Sequence, residues 1–87
     1  MFKYALEAIS STQLIELKSE PISVAFQNDQ LVLWAFHVDE TLARKFRVRC
    51  VMTGEDVDVE IGLRWHHLGT VTSRGGFVVH VFWDYPT

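Results

Sequence analysis

Arg44-Lys45-Phe46-Arg47-Val48-Arg49 places four cations within six residues. Strand alternation puts Lys45, Arg47 and Arg49 on one face and Phe46, Val48 and Cys50 on the other. Guanidinium groups fork onto phosphate or carboxylate oxygens, so Lys45, Arg47 and Arg49 are the candidate residues for holding a compact anion. In a symmetric dimer the stripe would be duplicated about the twofold axis. The plainer reading is a wet strand face whose charges discourage edge-to-edge association and pair with acidic neighbours. Charge is segregated along the chain: residues 1–43 carry −4, residues 44–49 carry +4, residues 53–60 carry −4 and the rest +1.

The four histidines are the other titratable candidates. His66 and His67 are adjacent in a strand-like segment, so they point to opposite faces and cannot chelate one ion together. A two-residue turn at Arg74-Gly75 would set Gly69 opposite His80 and His67 opposite Phe82. His67 and His80 would then be diagonal neighbours, about 7–8 Å apart at Cα. No third ligand shares that patch, so no metal site is expected, and the imidazoles read as packed or hydrogen-bonded groups. Gly69 would leave a hole that a ring, a ligand or another backbone enters.

Nucleophilic chemistry has little to stand on. The serines sit in no Gly-x-Ser-x-Gly elbow, and Cys50 shares the apolar face with Phe46 and Val48. Glu55, Asp56, Asp58 and Glu60 alternate with Val57 and Val59 in an acidic loop or short strand that lacks calcium-loop spacing. Gly75-Gly76 reads as turn chemistry, and no phosphate-binding glycine loop is present. The expectation is a non-enzymatic chain with no cofactor.

The elements that must position these residues belong to one small domain, residues 1–87. Apolar residues at 48% and charged residues at 22% predict a folded chain. A formal charge of −3 argues against a general binder of long nucleic acids. A single cysteine excludes an internal disulfide framework. The alternating N-terminus lacks the apolar core of a signal peptide, and no apolar run approaches membrane-spanning length. A soluble cytoplasmic module with no membrane partner is expected.

Period-two patterning dominates. Strands are expected at residues 2–6, weakly at 13–17, at 22–27 and 31–38 as a hairpin through Asn28-Asp29-Gln30, at 44–53, and at 64–72 and 77–85 as a hairpin through Ser73-Arg74-Gly75-Gly76. No segment sustains a helical stripe. The fold class is all-β: a small antiparallel sandwich or barrel of about six or seven strands, mostly meander and hairpins. Residues 31–38 and 77–83 are apolar on both faces, which a lone half-wet sheet does not require. Covering them needs closure on a second sheet or a partner chain. With eleven aromatic residues in the chain, Trp34, Phe36, Trp65 and Trp83 are the candidate interface aromatics and a homo-oligomer is expected.

Phe2-Lys3-Tyr4-Ala5-Leu6, Ile22 to Gln27, Leu31-Val32-Leu33-Trp34-Ala35, Arg44 to Val48, Leu68-Gly69-Thr70-Val71 and Val78 to Phe82 together span most of the chain. In that order they resemble a family of short, uncharacterised proteins of phage and prophage genomes. Two departures touch loops. Lys18-Ser19-Glu20-Pro21 stands where relatives often have a Pro-x-Gly-Ala turn, and Met52-Thr53-Gly54 where they tend to have Gly-Thr-Gly. The resemblance implies a viral accessory protein in the cytoplasm of an infected bacterial host, with no active-site residues to carry over. Three readings follow: an antagonist docking on a host defence or regulatory protein; an oligomeric sponge holding a small anionic nucleotide signal in basic and aromatic pockets between subunits; or a structural or scaffold component.

Overall fold

The computed structural model describes residues 1–7, 11–52 and 59–86. Seven strands are present: β1 (Phe2–Leu6), β2 (Gln13–Leu17), β3 (Pro21–Gln27), β4 (Gln30–Ala35), β5 (Arg44–Met52), β6 (His66–Thr72) and β7 (Val78–Asp84), with one short helix, α1 (Val59–Arg64), before β6. They form two antiparallel sheets, ordered β1-β4-β3 and β2-β5-β7-β6. The sheets do not close into a barrel, so the architecture is a sandwich. The acidic residues Glu55, Asp56 and Asp58 lie outside the described residues. The expected acidic loop or strand ends in α1 instead. Six residues are under two turns, too short for an apolar stripe to register.

Alternation builds the core. Leu31, Leu33 and Ala35 of β4 face Phe46, Val48 and Cys50 of β5 and Val79, Val81 and Trp83 of β7, and all are at most 6% exposed. Leu6 and Leu17 close the same cluster. Stacking two sheets buries one face of each strand without a partner chain.

The second face of β4 has its own cover. Val32 is only 4% exposed although it points away from the core, between Ala5 and Ala25 on the flanking strands. Lys3 is level with Trp34 and Gln27 with Gln30. The Lys3 Nζ donation to Gln27 Oε1 (3.1 Å) therefore crosses above Val32. A lysine stem laid over small apolar residues buries their surface while its ammonium stays wet.

Both hairpins form, each with a loop other than the expected one. In the first, Gln30 pairs with Gln27 inside the sheet, and the strand expected over 31–38 ends at Ala35. Asn28 and Asp29 take φ of +49° and +63°, the pair of left-handed residues that a two-residue turn between twisted strands requires. At the other hairpin the loop has three residues, not two. Ser73 and Phe77 are opposed, with Ser73 N donating to Phe77 O (2.8 Å) and Gly76 N to Ser73 O (3.0 Å). Gly76 supplies the positive φ, +88°, that such a loop needs before the chain re-enters the sheet. The extra residue shifts the register, so Gly69 faces Val81 and Thr70 faces His80, correcting the expected Gly69–His80 pair. A bulge between His67 and Gly69 then cancels the shift, and His67 still opposes Phe82.

Gly69 has a packing role. A Cβ there would lie 3.0 Å from Val24 Cγ1 of β3, so the missing side chain is what lets β3 close against β6.

Candidate functional site

The outward face of β5 carries the basic stripe, and its neighbours differ at each step. Arg47 stands opposite Asp84 of β7, and its Nη2 donates to Asp84 Oδ2. Its guanidinium also lies 5.0 Å from the Trp65 ring centroid. An ion pair and a ring together hold this group in place, each contributing on the order of 0.5–1 kcal/mol at a partly exposed site. Arg49 is half-buried opposite Phe82, and its Nε, like that of Arg47, has no hydrogen-bond partner among the described residues. Lys45 is exposed, with Glu16 of β2 as its cross-strand neighbour.

Lys45 and Arg47 share a concavity of about 470 Å³ with Leu14, Arg44 and Pro86. Arg49, the third residue of the expected stripe, does not line it. Arg44 lines it instead because the depression lies toward the start of β5 rather than along its middle. Arg44 was legible as part of the charge run; Leu14, legible only as part of the weak strand at 13–17, is 59% exposed. Nothing in the sequence pointed to Pro86, which is brought there by the end of β7.

The candidate interface aromatics separate. Trp83 is 6% exposed and points into the core, with Phe46 at 5.8 Å and His66 stacked at 4.5 Å between ring centroids. It is therefore not a surface residue, and its burial corrects that expectation: β7 alternates so that Val79, Val81 and Trp83 share the inward face. Trp65 is half-buried against Arg47, Trp34 is half-buried outside the three-stranded sheet, and Phe36 is 55% exposed.

Phe36 has exposed apolar company. Phe2 and Pro21 are both opposite Ala35, so Met1, Phe2, Ile22, Phe36 and Val38 gather where β1 and β3 begin and β4 ends. These are five of the ten exposed large apolar side chains among the described residues, each at least 42% exposed. Phe2 stacks on His37 at 4.2 Å, tying the segment after β4 to the start of β1. His37 lies 3.3 Å from Asp39.

Several of the remaining polar groups have local partners. His66 stacks inward on Trp83, while His67 faces outward, where its Nε2 is 3.0 Å from Thr70 Oγ1. The same hydroxyl lies 2.9 Å from His80 Nδ1, so Thr70 bridges the imidazoles that the sequence placed as neighbours. Among the described residues no three His, Cys, Asp or Glu side chains converge on a common point. The Cys50 thiol is 1% exposed, and burial pushes its pKa up to about 11, leaving it protonated and unreactive at neutral pH. Tyr85 donates its hydroxyl proton to Glu20 Oε2 (2.9 Å); that hydrogen bond first, then burial and the Glu20 and Asp84 charges, raise its pKa. Among the described residues no helix is long and apolar enough to cross a membrane.

A family model described as a domain of unknown function, DUF7352, matches residues 1–87, and the chain belongs to that family. No curated protein and no solved structure is found to be similar to it.

Proposed function

We propose that this member of a family of unknown function acts by binding rather than by catalysis, as a phage-type accessory protein that docks on a host defence or regulatory protein. The observation that carries the reading is the exposed apolar end of the three-stranded sheet: Met1, Phe2, Ile22, Phe36 and Val38 around Ala35. Scattered exposed apolar residues are ordinary, whereas their concentration at one end of a sheet, among polar residues, favours a docking surface. Lys3, Glu20, Asp39 and Glu40 supply such a rim in sequence. Large aromatic anchors dominate interfaces of this kind, and Phe2 and Phe36 are the two at this end.

The phage assignment and the cytoplasm of an infected bacterium belong to this proposal, and rest on the ordered resemblance of segments described above. Self-association through the same end is the competing occupant. The experiment is retention of a defined partner from bacterial lysate on immobilised protein, with the chain's own oligomeric mass measured alongside. Phe2→Ser with Phe36→Ser should abolish retention while thermal stability falls little, since both side chains are half exposed or more. A partner still held by the double variant, or a mass that drops with no partner ever retained, would count against the antagonist reading.

A further inference from the structure

The concavity on the outward side of β2 and β5 has a lining whose charge is entirely positive: Arg44, Lys45 and Arg47, with Leu14 and Pro86 as apolar walls. From this we infer a binding site for a small organic phosphate, a phosphate monoester carrying an apolar or aromatic body, held by one subunit alone.

Three features support the assignment. First, the cations are unequal in a useful way. Arg47 is immobilised by Asp84 and by the Trp65 ring, so it presents a fixed guanidinium. Arg44 and Lys45 form no ion pair among the described residues. Both side chains are exposed, so their charged ends are open to an incoming anion. Second, the nearby carboxylates leave an excess of positive charge. Asp84 is committed to Arg47, Glu16 is opposite Lys45 in register without pairing to it, and the residue opposite Arg44 is Leu17. Third, size and polarity agree. About 470 Å³ lies within the usual range for small-molecule sites, roughly 300–1,000 Å³, and a bare phosphate would leave the Leu14 and Pro86 walls wet. Charge-assisted contacts to the phosphate oxygens would supply most of the affinity, and the apolar walls would select for the attached body.

The site shares no residue with the apolar end of the three-stranded sheet, so it stands or falls independently of protein docking. The test is titration of the isotopically labelled full chain with adenosine monophosphate, with inorganic phosphate and adenosine as separate arms, followed by backbone amide shifts. The monophosphate is expected to move the amides of Leu14 and of residues 44–47, and to bind more tightly than either fragment. Arg44→Ser with Lys45→Ser should weaken it roughly tenfold or more, and Leu14→Ser should narrow its advantage over inorganic phosphate. All three positions are exposed, and an unchanged spectrum elsewhere verifies the fold. Lys3→Ser, a cation on the other sheet, should leave binding intact. No shifts at millimolar monophosphate, or equal losses with Lys3→Ser, would overturn the site. Inorganic phosphate binding as tightly as the monophosphate would overturn the ligand class.

Discussion

Where β3 meets β6, the sheets are joined by shape: Val24 packs onto the bare backbone of Gly69, where a Cβ would lie a tight 3.0 Å from Val24 Cγ1. Beside β1 and β2 a polar side chain bridges them next to the buried Leu6 and Leu17. The Gln13 amide accepts from Glu7 N through Oε1 (2.9 Å) and donates through Nε2 to Glu7 O, standing in for a backbone partner just past β1. One side of the sandwich thus depends on a close fit, while the other adds an amide bridge to its apolar contacts. Added atoms damage the first and deleted atoms the second. The basic concavity and exposed Leu14 lie on the amide side, where β2 is a free edge.

The largest expected effect is on the packed side. Gly69→Val should destabilise the chain by about 2–3 kcal/mol in urea unfolding, because β-branched bulk forces β6 away from β3. Val24→Ala in the same chain should restore a large part of that loss by vacating the contact. A silent Gly69→Val would erase the distinction between the two sides.

The amide side offers a chemical probe, because Cys50 lies on β5 two residues from Val48, the cross-strand partner of Gln13. Gln13→Ala should cost only about 1 kcal/mol, the net worth of an ordinary hydrogen-bonded group. Labelling of Cys50 by a thiol reagent should nevertheless accelerate well beyond what that loss of global stability accounts for, as local opening admits the reagent. Labelling that tracked global unfolding alone would show both sides opening together.

Alkaline titration sharpens the point. The folded pKa of Cys50 is raised from 9.0 to about 11. The thiol's contribution to stability is therefore fully present below pH 9 and declines through about pH 11, because the unfolded chain ionises there and the folded chain does not. Cys50→Ala should flatten that limb of the stability curve.

The smallest change lies at neither side. Asp29→Gly should stabilise the β3–β4 hairpin by a few tenths of a kcal/mol, up to about 1, since position 29 holds φ of +63°. Equilibrium unfolding is the measurement, and a loss instead would mean that the Asp29 side chain matters to the turn.

Much of this was legible beforehand. Lys45, Arg47 and Arg49 alternate with Phe46, Val48 and Cys50 in the chain and on β5 alike, because a strand turns its side chains over at every residue. The β6–β7 hairpin shows how a correct placement can arise from an incomplete account. A two-residue loop without a bulge and a three-residue loop with one both put His67 opposite Phe82, yet only the second puts Thr70, and not Gly69, opposite His80. Trp83 and Trp65 were indistinguishable as aromatic residues near strand ends, and only the sheet's two sides separated a core ring from one lying on Arg47.

Period-two alternation is local, so composition and spacing alone were enough to determine a strand-built chain, the approximate place of its strands and which residues share a face. The strand expected over 31–38 nevertheless stops at Ala35, and the one expected from 64 begins at His66, after α1. The partner of each face is not local. Which glycine admits a neighbouring sheet, which arginine is neutralised by a carboxylate 37 residues away, and which cations share a concavity were decided only when loop length, bulge and sheet order combined. Those choices depend on how one sheet lies against another, and the period of a single strand carries no record of its distance to a second.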